Sequence, residues 1–309
     1  MSILFHTDWP NRDQWLDGLR RAMPDARIRV WPDIGDPSDI TFAVVWNPPS
    51  GFFADLDRLA GVCVMGAGTD AILAKGEIPE SVPVARVVDP VMSNRMAEYV
   101  LAATLRFQRR FDDYALQQSR QEWQRLPQKD AGSFHVAVLG LGQIGRLVAG
   151  RLAANGFKVG GWSRTAREIE GIECHTGSDG LARLVSWCDL LVNLLPLTTQ
   201  TRGLLDRDVF WAMPVGGGIV NCARGAHVVT ADLLQALDTG QLSFAMLDVF
   251  ETEPPAADDP VWSHPRVHMT PHVSSITNIE TALPQIVAAY DATRAGRPMA
   301  NRVNRKQGY

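Results

Sequence analysis

The segment Gly140-Leu141-Gly142-Gln143-Ile144-Gly145 has the G-x-G-x-x-G spacing. It follows the apolar run Val136-Ala137-Val138-Leu139 and opens the helix-like stretch RLVAGRLAANG. In a strand-turn-helix setting the three glycines have separate tasks. Gly140 permits the tight turn, Gly142 lets backbone amides approach a pyrophosphate, and Gly145 allows close helix-strand packing, with the helix N-terminus facing the phosphates. Alone, such a run is a glycine-rich surface turn. In this setting Gly140, Gly142, Gln143, Ile144 and Gly145 are expected to hold a dinucleotide. About 20 residues downstream, where an acid commonly takes the ribose 2′-hydroxyl, stand Ser163-Arg164-Thr165. A loop arginine can be no more than a solvated charge. Here, with two hydroxyl neighbours and no acid at that place, Arg164 is suited to grip a 2′-phosphate by charge-assisted hydrogen bonds. NADP(H) is therefore the expected cofactor, with NAD(H) left open.

Three further motifs follow runs that read as strands: Asn221-Cys222-Ala223-Arg224-Gly225, then Leu247-Asp248-Val249-Phe250-Glu251-Thr252-Glu253-Pro254, then Thr270-Pro271-His272-Val273-Ser274-Ser275. In an open parallel sheet the loops at the carboxyl ends of strands line the ligand crevice, so all three are expected to converge on one cofactor face. A single Arg, Glu or His after a strand is more often a member of a loop ion pair. The three in order, beside a dinucleotide fingerprint, point to catalysis. His6, His135, His175, His227, His264 and His268 lack such company and read as structural or solvated. No metal site is expected, because the close pairs His264 with His268 and Cys174 with His175 have no further ligands at suitable spacing.

Over nearly its whole length the chain resembles the D-isomer-specific 2-hydroxyacid dehydrogenase family. The resemblance is carried by GAGTD (66–70), GLGQIG (140–145), NLLPLTTQTRGLLD (193–206), NCARG, DVFETEP and TPHVS. The stretch DPVMSNRMAEYVLAATLRFQRRFDDY (89–114), with Trp46 and Pro48-Pro49, is most similar to the glyoxylate/hydroxypyruvate reductase branch. The resemblance implies that Arg224 binds the carboxylate and carbonyl oxygen of a small 2-keto acid. It implies further that His272 donates the proton and that Glu253 hydrogen-bonds the imidazole. A guanidinium offers a bidentate fork for a planar carboxylate as a lysine does not. Hydride attack develops charge on the carbonyl oxygen, which a cation stabilises and an imidazolium quenches, and a neighbouring carboxylate favours imidazolium. By the same resemblance Ala67 and Gly68, in a turn of small residues, meet the substrate carboxylate. Asp248 faces the nicotinamide carboxamide, Leu195, Pro196 and Cys222 line the cofactor cleft, and Trp46 contacts substrate, with Met92 and the residues near Leu101 as further candidate walls. For Leu195, Pro196, Cys222 and Asp248, core packing is the competing reading. Glu253, where formate-handling relatives have Gln, argues against formate oxidation, and no regulatory domain of the phosphoglycerate dehydrogenase kind follows.

These residues need a scaffold of strands alternating with crossover helices. Ile3-Leu4-Phe5, Ile28-Arg29-Val30, Phe42-Ala43-Val44-Val45, Val62-Cys63-Val64-Met65 and Val84-Ala85-Arg86-Val87 read as five strands of a flavodoxin-like domain. From Ala97 to about Trp123 no Pro or Gly intervenes, and a single long amphipathic helix is expected, bridging two domains. The rhythm restarts with Val136–Leu139, Lys158-Val159, Leu190–Asn193, Gly218–Asn221 and Phe244–Leu247. Beyond Thr277 a helix-like segment to about Arg294 and a polar tail begin no further sheet. The expected fold is α/β, a Rossmann-type dinucleotide-binding domain (97–276) plus a discontinuous flavodoxin-like substrate domain (1–96, with 277–309 returning to it).

A chain of 309 residues with 46% hydrophobic and 21% charged residues has the composition of a soluble two-domain protein. A net charge of -4 gives no basic field for nucleic acid or an anionic membrane. The N-terminus MSILFHTDWP has no leader pattern, and no stretch reaches about 18 uninterrupted apolar residues. Cys63, Cys174, Cys188 and Cys222 form no C-x-x-C pair and read as buried free thiols in a reducing cytoplasm. The resemblance implies as partners a small 2-keto or 2-hydroxy acid and a second copy of the chain, joined through the helix from Ala97. The rival class is a nucleotide-sensing binding protein on the same fold, without turnover.

Overall fold

The computed structural model describes residues 2–305. The chain forms two compact units, one made of the residues up to Met92 together with those from Thr277 onward, the other Ser93–Ile276.

In the first unit the five apolar runs become β1 (Ser2–His6), β2 (Arg27–Val30), β3 (Ile40–Val45), β4 (Gly61–Val64) and β5 (Val84–Arg86), all parallel in the order β2-β1-β3-β4-β5. β3 and β4 are buried along their whole length, the pattern of strands covered on both faces. α1 (Arg12–Ala22) turns Trp15 and Leu19 inward, and α2 (Asp70–Ala74) is a single short helix after the 66–69 turn. The returning helix Ile279–Arg294 belongs to this unit. Its Tyr290 ring meets Phe42 edge-on at 5.5 Å, and a Cβ on Gly18 of α1 would stand 2.8 Å from Leu283. The tail then bridges antiparallel to β5 through Ala85 and Arg302.

The second unit begins within α3 (Pro90–Gln108), so packing divides the chain at Met92–Ser93 rather than at 96/97. The uninterrupted helix expected to about Trp123 is not what forms. Arg110 adopts a left-handed backbone (φ 58°) and α3 stops, with α4 (Phe111–Ser119) starting anew. The break is held by charge: Arg106 Nε donates to Asp112 at 2.8 Å and Arg110 Nε to Asp113 at 2.8 Å. The two carboxylates occupy the first turn of α4, where the helix dipole favours them. Trp123 lies beyond α4, fully exposed.

Seven parallel strands follow: β6 (His135–Leu139), β7 (Lys158–Trp162), β8 (Glu173–His175), β9 (Leu190–Asn193), β10 (Gly217–Asn221), β11 (Leu242–Leu247) and β12 (Val267–Met269), in the order β12-β11-β10-β9-β6-β7-β8. Strand order reverses between β6 and β9, so the loops after those two strands flank the switch point. α5 (Gln143–Ala154), α6 (Gly177–Trp187), α7 (Arg207–Ala212) and α8 (Thr230–Asp238) complete the layers. α3 lies against this sheet, its Phe107 stacked on Phe244 of β11 at 4.9 Å. All four cysteines are free thiols; Cys63, Cys188 and Cys222 are buried, but Cys174 is only partly so, because β8 is an edge strand. Among the described residues no helix is long and apolar enough to cross a membrane.

Candidate active site

The glycine turn follows β6 directly. Gly140 has φ 98°, and a Cβ there would stand 2.8 Å from the carbonyl oxygen of Leu194, in the loop after β9. Gly145 is tighter still. Its Cβ would fall 1.7 Å from Gly140 O, so only glycine lets the first turn of α5 seat on the strand end. Around Gly142, which caps α5, the added Cβ meets nothing within 4 Å. The space at the α5 N-terminus is open, beside amides that the helix cannot satisfy internally and that suit an anionic group. Gln143 is exposed and Ile144 partly buried at the same end.

β7 leads into the loop expected to meet the 2′-phosphate. Ser163 is mostly buried, with its hydroxyl committed to Thr165 O at 2.7 Å, whereas Arg164 and Thr165 are exposed. Ser163 thus shapes the loop rather than offering its hydroxyl outward. Arg167, which sequence reasoning passed over, is a second exposed guanidinium three positions further along the same loop.

The three chemistry-bearing loops meet at the carboxyl ends of β10, β11 and β12. His272 Nδ1 lies 2.8 Å from Glu253 Oε2, both side chains about two-fifths exposed. Glu253 Oε1 accepts from the Phe250 amide at 3.0 Å. Partial burial pushes the Glu253 carboxyl upward. The His272 and Phe250 hydrogen bonds and the positive charges of His272 and Arg224 outweigh it, holding the group below the ordinary glutamate range. His272 has a left-handed backbone (φ 54°), uncommon for a residue with a Cβ. Arg224, partly buried, donates from Nη1 to Ala223 O at 2.7 Å. Gly225 explains how its loop comes so near the next one: a Cβ there would stand 1.9 Å from Phe250 C and 2.2 Å from Glu251 N.

Asp248 is fully buried, and its carboxylate is committed to the loop after β12. Oδ1 accepts from Thr270 Oγ1 at 2.6 Å and Val273 N at 2.8 Å, and Oδ2 from Ser274 N at 3.0 Å. Cys222 is buried beside it. Burial and the Asp248 charge push that thiol far up, against a hydrogen bond with Ser274, which leaves a neutral wall.

Three residues under these loops drew no role from the sequence. Asn193 and Asn221, both essentially inaccessible, end β9 and β10. Asn193 Nδ2 donates to Asn221 Oδ1 at 3.0 Å, and Asn221 Nδ2 to Arg224 O at 2.9 Å. Leu195, buried, is fixed by donating its amide to Asn193 Oδ1 at 3.2 Å. His227 is fully buried, Nδ1 3.0 Å from Arg224 O and Nε2 3.3 Å from Pro196 O. The signal available was two asparagines closing adjacent apolar runs, which does not by itself name a partner.

Trp46, Ala67 and Gly68 lie in the other unit. Trp46 covers Gly66, where a Cβ would come 2.4 Å from its ring, and Arg86 Nη1 donates to Ala67 O at 2.8 Å. The turn also holds Thr69, whose buried hydroxyl has no hydrogen-bond partner among the described residues. Met92 is buried and accepts a hydrogen bond at sulfur from Thr277 Oγ1 at 3.3 Å. Among the described residues no group of three or more His, Cys, Asp or Glu side chains is arranged to hold a metal ion.

The NAD binding domain of D-isomer specific 2-hydroxyacid dehydrogenases matches residues 101–274. A glyoxylate/hydroxypyruvate reductase A from Serratia proteamaculans is 42% identical over the full length of both chains, and one from Yersinia enterocolitica is likewise 42% identical over both full lengths. A D-isomer specific 2-hydroxyacid dehydrogenase from Xanthobacter autotrophicus Py2, solved with NADPH and MES, superposes with a TM-score of 0.94 at 38% identity, covering 100% of this chain and 99% of that one. An NADPH-dependent glyoxylate/hydroxypyruvate reductase from Sinorhizobium meliloti, solved with NADP and sulfate, gives 0.93 at 33% identity over both whole chains. With the domain matched over residues 101–274 and relatives matched along the full length, the chain belongs to the D-isomer specific 2-hydroxyacid dehydrogenase family.

Proposed function

We propose that the chain is an NADPH-preferring reductase that converts glyoxylate or hydroxypyruvate to the 2-hydroxy acid, with NADH as a secondary donor. The observation that carries the reading is the 2.8 Å His272–Glu253 pair with Arg224 on the neighbouring loop, in the same unit as the glycine turn. The relatives' named activity and the NADPH of the solved relatives support it.

Bound NADPH supplies a hydride to the keto carbon. Arg224 binds the substrate's carboxylate and holds its carbonyl oxygen, stabilising the charge that develops there. His272, whose Nδ1 is taken by Glu253, presents Nε2 and delivers the proton to that oxygen. Glu253, hydrogen-bonded to Nδ1, orients the imidazole for this delivery. Gly140, Gly142, Gln143, Ile144 and Gly145 hold the pyrophosphate, while Arg164, with Thr165 beside it and Arg167 further along, takes the 2′-phosphate. Leu195, Pro196 and Cys222 wall the cofactor. Asp248 acts on the His272 loop rather than offering its oxygens outward.

The protein works in the cytoplasm, a reading supported by four free thiols. It acts as a homodimer, supported by the exposed Phe111 (58%) and Trp123 (100%) at and beyond α4.

The test follows absorbance of the nicotinamide band with glyoxylate and hydroxypyruvate, for the wild type and His272→Ala. Turnover by the wild type and a loss on the order of a hundredfold or more in kcat for the variant are expected. Tight NADPH binding with neither acid reduced would return the chain to the nucleotide-sensing class.

A further inference from the structure

The loop bearing His272 is folded round one buried carboxylate. Asp248 O accepts from His272 N at 2.9 Å, and the Asp248 carboxylate takes the amides of Val273 and Ser274 and the hydroxyl of Thr270. These bonds hold His272 at its left-handed φ of 54°, a conformation that a residue with a Cβ keeps only when its surroundings fix it.

The arrangement extends one residue further. Tyr99 Oη, on α3, lies 2.6 Å from Thr270 Oγ1. A threonine hydroxyl has a single proton. Thr270 gives that proton to Asp248 at 2.6 Å, so in the 2.6 Å contact with Tyr99 it must accept, and Tyr99 must donate. Burial, together with the charge of Asp248, pushes the Tyr99 phenol far above its ordinary range, against the lowering effects of Thr270 and Arg106, so the proton needed for donation stays in place. Hydrogen bonds arranged head to tail polarise one another, and a hydroxyl that accepts from a phenol is a better donor to a carboxylate.

We infer that Tyr99 is a positioning residue for His272, acting through a one-way chain of hydrogen bonds from Tyr99 to Thr270 to Asp248. It touches neither substrate nor cofactor in this scheme. Its role is to fix the loop geometry in which His272 Nδ1 faces Glu253 and Nε2 faces the reacting oxygen. The inference rests on the reductase reading for its catalytic consequence, but the loop geometry can be read without turnover.

The test uses the full-length protein as wild type, Tyr99→Phe, Thr270→Val, Thr270→Ser and the double variant Tyr99→Phe/Thr270→Val. With NADPH and glyoxylate, Thr270→Val should lose on the order of tenfold in kcat and Tyr99→Phe about threefold, as one hydrogen bond to a charged or a neutral partner is removed. KM for NADPH should stay within about twofold. Thr270→Ser, which keeps the hydroxyl, should restore most of the loss. The double variant should be no slower than Thr270→Val, since among the described residues Tyr99 is hydrogen-bonded toward the His272 loop through that hydroxyl. Nitrogen-15 NMR of the imidazole, assigned by the signal lost in His272→Ala, supplies the second readout. The wild type and Thr270→Ser should hold the Nδ1–H tautomer with its bond to Glu253, and Thr270→Val should average between tautomers. Losses from Tyr99→Phe and Thr270→Val that multiply in the double variant would overturn the inference, as would an unaltered His272 spectrum in Thr270→Val. A wild type that reduces neither acid would sink the reductase reading, while the NMR comparison would still decide the positioning role.

Discussion

At the scale of single residues, Glu253 is the group whose charge state decides most. Its carboxyl is held below the ordinary glutamate range, so its ionised pairing with His272 is intact above that range and is lost as pH falls through the lowered value. The acid limb of the activity profile is accordingly expected below the usual carboxylate region. In Glu253→Gln the amide oxygen can still accept from Nδ1, but the charge that favours imidazolium is gone. In that variant kcat at neutral pH should fall on the order of tenfold or more; an unchanged kcat would show that Glu253 does not act on the proton donor. Arg164 is testable through the cofactor. Arg164→Asp should turn preference from NADPH toward NADH by placing a carboxylate where the 2′-phosphate would sit, and an unaltered ratio of kcat/KM for the two cofactors would remove that assignment.

At the scale of elements, the site depends on how closely loops approach one another, and Gly225 marks the tightest approach. Gly225→Ala would drive a Cβ to 1.9 Å from the Phe250 backbone, which neither loop can yield without separating Arg224 from Glu253. A loss of about 2 kcal/mol or more of stability is expected from such overpacking, seen as a lower Tm together with a fall in kcat; an unchanged Tm would mean that the loops part easily. Much of this framework is legible in the sequence. VAVL before the glycine turn, and the runs ending in Asn193, Asn221 and Leu247, are strands because uninterrupted apolar runs suit a sheet covered on both faces. β8 and β12 escaped because three-residue edge strands of mixed composition, ECH and VHM, carry no such run. The stop after Gln108 escaped for a different reason. Arg109 and Arg110 are ordinary helix formers, and the pairing of Arg106 and Arg110 with the acids of α4 is what holds Arg110 in its left-handed conformation. The roles of Asn193, Asn221 and Tyr99 were invisible because each is defined by a partner on another strand or loop, which spacing along one segment does not reveal.

At the scale of the whole molecule, two parallel sheets account for the chain, and the expectation of self-association concerns what lies outside them. Phe111 and Trp123 expose large apolar surfaces on and after α4, and a dimeric mass in sedimentation is expected for the wild type. Phe111→Glu combined with Trp123→Ala should yield the monomer; a wild type that sediments as a monomer at micromolar concentration would exclude the homodimer outright. The buried bonds beneath the site have a consequence of their own. Asn193 to Asn221, Asn221 to Arg224 and His227 to both Arg224 and Pro196 lash the ends of β9 and β10 and the loops after them into a stiff collar, with the side chains of Asn193, Asn221 and His227 shut away from solvent. Loosening any one strands a polar group where no solvent can replace its mate. The place of the Arg224 backbone is therefore set once, as the polypeptide folds, and its loop stands ready without reorganising.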